Sequence, residues 1–127
     1  MLFWVPTTEV AAALDDLPGT AVRVVAPDGG PLPAGAAEVE FYVPPFFPAQ
    51  PAIEVMADLP RLRVVQALTA GIDRYLPHLP PGVTLCNARG AHDASTAEWV
   101  VAVGAVVTAL GGVWAAPANA PAQPPQA

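Results

Sequence analysis

Apolar and β-branched residues come in short runs cut by proline and glycine, and these runs alternate with stretches spaced for helices. Residues 1–6 (MLFWVP) read as a first strand buried on both faces. Thr7, Thr8 and Glu9 then cap a helix whose apolar positions Val10, Ala13, Leu14 and Leu17 recur at helical spacing until Pro18 and Gly19 end it. Residues 21–26 (AVRVVA) form a second strand, stopped by the turn signal Pro27-Asp28-Gly29-Gly30. Six prolines interrupt residues 31–51, yet residues 39–43 (VEFYV) still predict a third strand. The following Pro44-Pro45-Phe46-Phe47-Pro48 reads as a rigid loop, whose phenylalanines could wall a pocket or simply pack on their own domain. Residues 50–59 carry a helical pattern (Ile53, Met56, Ala57) closed by Pro60.

Residues 63–68 predict a fourth strand, residues 72–79 a short helix, and residues 83–88 a fifth strand. Strands alternating with helices imply an α/β domain with a parallel sheet covered on both faces and joined by right-handed connections. The expected arrangement is flavodoxin-like, a five-stranded sheet in the order 2-1-3-4-5 flanked by helices. A last helix is expected from Ser95, with Glu98 completing a capping box. Its continuation, residues 99–116 (WVVAVGAVVTALGGVWAA), has no charge, so a long apolar helix is expected there, either buried or spanning a membrane. No basic flank would orient it in a bilayer, and the buried alternative is preferred. Residues 1–116 thus form one expected domain, and the alanine- and proline-rich residues 117–127 a disordered tail.

Composition narrows the functional classes. The 127 residues carry a formal net charge of −6, with five arginines and no lysine, which speaks against a nucleic-acid or anionic-membrane surface. The single cysteine, Cys86, cannot form an internal disulfide and suits a reducing, cytoplasmic setting. His78 and His92 have no clustered carboxylates, so a metal site is not expected. Chemistry concentrates where the fourth and fifth strands end. There the small-residue loops Thr69-Ala70-Gly71 and Asn87-Ala88-Arg89-Gly90 should lie side by side, at the strand ends where open α/β sheets bind ligands. Backbone amides in such loops can hold an anion, and glycine at 71 would allow a close approach or a positive φ. Arg89 could join them or form a surface ion pair.

Three runs in order, residues 66–73 (QALTAGID), residues 81–90 (PGVTLCNARG) and residues 96–99 (TAEW), resemble the substrate domain of the D-isomer-specific 2-hydroxyacid dehydrogenases. The resemblance is strongest over residues 59–102. It implies an oxidoreductase ancestry: hydride passing between the C2 of a 2-hydroxy or 2-keto acid and NAD or NADP, with a histidine-carboxylate pair moving the proton and an arginine holding the carboxylate. It also implies that Ala70, Gly71 and Ile72 supply substrate-binding amides, that Asn87 and Arg89 border the same crevice, and that Thr96 touches the nucleotide. No Gly-x-Gly-x-x-Gly occurs in the chain, and no residue matches the family's catalytic arginine, carboxylate and histidine. The sequence therefore reads as a substrate domain truncated before the cofactor domain, inactive alone, and dependent on a separate cofactor-domain partner. Two alternatives stand beside it. One is a non-catalytic binding or assembly module that pairs through its last helix with another copy or with a separate cofactor domain; the other is a small membrane-associated protein anchored by residues 99–116.

Overall fold

Phe3 and Val5 face one side of the sheet and Trp4 the other, and this alternation along the first strand divides the interior into two cores. A computed structural model describes residues 1–109 of the protein. They fall into two units, one of residues 1–91 and one beginning at His92. The first unit runs β1 (Leu2–Val5), α1 (Thr8–Leu14), β2 (Ala21–Val24), β3 (Val39–Tyr42), α2 (Gln50–Glu54), β4 (Val64–Gln66) and β5 (Thr84–Cys86), with short 3-10 turns at Ala36–Glu38, Val55–Asp58 and Leu76–His78. All neighbouring strands are parallel, and the order is β2-β1-β3-β4-β5, as the sequence pattern predicts.

The register is not uniform. Leu2 pairs with Val39, but Phe3 pairs with Phe41, so one extra residue of β3 is accommodated between the two pairs. Without that irregularity Val39 and Tyr42, three apart, could not both face the larger core. With it, Phe41 stacks on Phe3 at 4.5 Å between ring centroids, and Tyr42 meets Trp4 edge-on at 6.5 Å. The larger core gathers Trp4, Val39, Tyr42, Ile53, Met56 and Val65; the smaller gathers Phe3, Val5 and Val43 under α1.

Several local expectations need correction. Thr7 does cap α1, its Oγ1 accepting from the Val10 amide over 3.3 Å, but the helix stops at Leu14. Its inward face is therefore Val10, Ala11 and Leu14, and Leu17, beyond Asp15 and Asp16, is exposed. The predicted helix over residues 72–79 is absent; only the 3-10 turn Leu76–His78 forms, because Pro77 and Pro80 remove the amides a longer helix would need. The edge strand β2 leaves Val24 exposed, so coverage on both faces holds only for the inner strands.

In the second unit α3 spans Asp93–Ala109. It begins two residues before the predicted start, and Ser95 does not cap it: its Oγ donates to the His92 carbonyl. Among the described residues no long apolar helix is found; of the expected span only residues 99–109 are described, and they lie in α3. The described part of α3 carries Asp93 and Glu98 in its first turns, and among the described residues no helix is long and apolar enough to cross a membrane. The rest of that expected helix, residues 110–116, and the tail, residues 117–127, lie outside the described residues.

Candidate functional site

Ligand sites in open parallel sheets lie beyond the carboxyl ends of the strands, near where the strand order reverses, here between β1 and β3. A cleft of about 330 Å³ lies between the segments that leave the neighbouring strands β3 and β4. Its apolar wall comes from Phe46, Phe47, Pro48 and Tyr75; its polar wall comes from Thr69, Gly71, Asp73 and Arg74. The β3 segment is stiffened by Pro44, Pro45 and Pro48, and it holds Phe46 and Phe47 edge-to-face at 4.7 Å. Phe47 is 85% exposed, an unusual position for a phenyl ring.

The β4 loop is fixed by three bonds. Asn87 Nδ2 donates to the Ala70 carbonyl over 3.0 Å, Thr69 Oγ1 donates to the Gly71 carbonyl over 2.9 Å, and the Ala88 amide donates to the Thr69 carbonyl over 3.0 Å. In a trans peptide the N–H points opposite to the C=O. Engaging the carbonyls of Ala70 and Gly71 thus turns the Gly71 and Ile72 amides away from those partners, and among the described residues neither donates to any acceptor. Glycine at 71 is not there for a left-handed backbone, since its φ is not positive, and a Cβ at this position would meet nothing within 4 Å. The space beside it is open.

Arg74 crosses from the β4 loop to the β3 segment, donating from Nη1 to the Pro48 carbonyl over 3.2 Å. Neighbouring Asp73 makes no ion pair with it. Tyr75 is buried, and its hydroxyl has no hydrogen-bond partner among the described residues. Burial pushes its pKa up, and the Arg74 charge pulls part of that shift back.

Of the residues predicted from sequence, Ala70, Gly71 and Asn87 come together as one bonded loop pair, and Gly71 lines the cleft. Ile72 is half-buried against the larger core. Arg89 is exposed; its amide donates to Asn87 Oδ1 over 3.3 Å, and its side chain is not among those lining the cleft. Thr96 belongs to the second unit, in the first turn of α3. Arg74, Asp73 and Tyr75 do not stand out as ligand groups in the sequence, where they read as parts of a helix, whereas Thr69 belongs to the loop predicted there. The aromatic pair at 46 and 47 is visible there as a possible pocket wall, although packing on their own domain is the preferred reading of that loop; Phe47 instead is exposed and lines the cleft.

Two larger clefts fit an anion less well. One, of about 580 Å³, lies between the β2 turn and α2; its only charged lining residues are Asp28, Glu54 and Asp58. The other, of about 520 Å³, lies near the amino ends of the strands, opposite to where such sheets bind ligands, with Arg23, Arg61 and the amino terminus of Met1 facing Glu38 and Glu40. Among the described residues no cluster of His, Cys, Asp and Glu could hold a metal ion. Compared with family models, curated proteins and solved structures, the chain matches none.

Proposed function

We propose that this chain binds a small 2-hydroxy or 2-keto acid at the carboxyl ends of β3 and β4, as a flavodoxin-like substrate domain similar to those of the D-isomer-specific 2-hydroxyacid dehydrogenases, and that it does not turn the acid over by itself. One observation carries the reading. The Gly71 and Ile72 amides point away from Asn87 and Thr69 and donate to no acceptor among the described residues, Gly71 lines the cleft, and such amides are the kind of donors a carboxylate needs. The resemblance over residues 66–99 and the reducing, cytoplasmic setting suggested by the lone thiol of Cys86 agree with it.

A nicotinamide dinucleotide, which the resemblance implies, does not fit the residues of this chain. The connection from β1 to α1 is Pro6 and Thr7, without glycine, and Thr7 Oγ1 already occupies the Val10 amide at the start of that helix. Oxidation or reduction of the acid would therefore require a cofactor domain that residues 1–109 do not supply.

A second reading, assembly through α3, is favoured by the exposure of Trp99, Val100 and Val101. Isothermal titration of the purified chain with glyoxylate and hydroxypyruvate, each with and without NADH, tests the first reading. The expected result is acid binding, no NADH binding and no change at the nicotinamide absorbance. Failure of both acids to bind, with a concentration-dependent oligomer in sedimentation, would replace it by the second.

A further inference from the structure

We infer that the cleft supplies its own carboxylate clamp and its own selectivity: Arg74 holds the ligand's carboxylate beside the Gly71 and Ile72 amides, while Phe46 and Phe47 receive an apolar or aromatic side chain, so the ligand class is bulky 2-oxo or 2-hydroxy acids. This rests on the carboxylate-binding reading above and adds to it a cation and a substrate class. Arg74 has five N–H donors, and the single bond it makes, to the Pro48 carbonyl, leaves most of them unused. No carboxylate of the described residues neutralises it, and that neutral tether aims the guanidinium across the cleft without quenching its charge.

The apolar wall argues for the side chain. An 85% exposed phenyl on a proline-stiffened loop gains from covering, and little ordering entropy is lost when a ligand covers it. A two- or three-carbon acid would leave that surface wet. Asp73 opposes the clamp, since its carboxylate lines the same cleft.

The test is titration of the full chain and three variants with pyruvate, phenylpyruvate and the methyl ester of phenylpyruvate, each variant first checked by circular dichroism and thermal melting. The wild-type chain should bind phenylpyruvate about tenfold or more tighter than pyruvate. Arg74→Gln should weaken both acids about tenfold or more and leave the ester unchanged, since only the charged partner is lost. Phe47→Ala, at an exposed position, should bring phenylpyruvate affinity down toward that of pyruvate and so abolish the preference. Asp73→Asn should tighten both acids. Equal affinity for the two acids, or Arg74→Gln binding like wild type, overturns this inference while leaving a carboxylate site on the loop amides standing. No binding of either acid overturns both.

Discussion

Tyr42 donates its hydroxyl to the Ala52 carbonyl over 2.8 Å, a buried bond that ties β3 to α2 across the larger core. Replacing Tyr42 with Phe keeps the ring against Trp4 and leaves the carbonyl one partner short. Such a loss costs about 1–3 kcal/mol. Urea denaturation should show a lower midpoint with an unchanged slope; an unchanged midpoint would mean that water serves Ala52 equally well.

The same tyrosine makes the fold sensitive to alkali. Burial, reinforced by the nearby Tyr75 phenol, raises the pKa of Tyr42 far above its ordinary value, and Tyr75 is raised too, again by burial first. The unfolded phenols ionise near pH 10. Above that pH the unfolded chain holds fewer protons than the folded one, so stability is complete below about pH 10 and falls as pH rises. These are the only two tyrosines in the sequence, so tyrosinate absorbance reports on them alone. Ionisation should coincide with loss of the far-ultraviolet signal, and Tyr42→Phe should flatten the alkaline decline. Tyrosinate appearing at an ordinary pH in the folded protein would contradict this.

Trp4 is fully buried, yet its indole nitrogen has no acceptor among the described residues. Two substitutions should therefore separate widely. Trp4→Ala empties the centre of the sheet and should cost about 3–5 kcal/mol. Trp4→Phe removes the orphaned donor along with some volume and should cost less than about 1.5 kcal/mol. Guanidinium unfolding of both proteins decides the matter, and similar losses for the two would show that the N–H has a partner after all.

Gly71→Ala separates fold from site. The added methyl meets no neighbour and the backbone is not left-handed, so melting temperature should hold or rise, by up to about 1 kcal/mol of stability. The methyl enters the space beside the cleft and should weaken acid binding about tenfold. A variant that melts early would put the glycine back among the requirements of the fold.

Much of the fold was legible because β-branched runs such as residues 21–26 and 39–43 have no good alternative to a strand, and the order of a doubly wound sheet follows from alternating elements. The failures have separate causes. Ile72, Leu76 and Leu79 have helical spacing, but Pro77 and Pro80 decide the backbone locally, and proline outweighs periodicity. The β3 irregularity leaves no mark in composition; it becomes necessary only when Val39 and Tyr42 must share a core. At the site, the loop of residues 69–71 was readable from its small residues and glycine. Arg74 was not, since its bond to Pro48 spans 26 positions and depends on the two loops meeting in space.

The pairing of β1 with β3 also bears on how the chain reaches this state. Parallel neighbours cannot be joined by a tight turn, so every pair here closes a loop, and the widest loop is that between Leu2 and Val39. The other pairs close after a single intervening segment. Contacts distant in sequence slow the search. The pairing of the first strand with the third is therefore expected to be the slowest to close, with Phe3 on Phe41 and Trp4 against Tyr42 as the contacts that mark its completion. Variants that weaken those contacts should be judged by their refolding rates as well as by their midpoints.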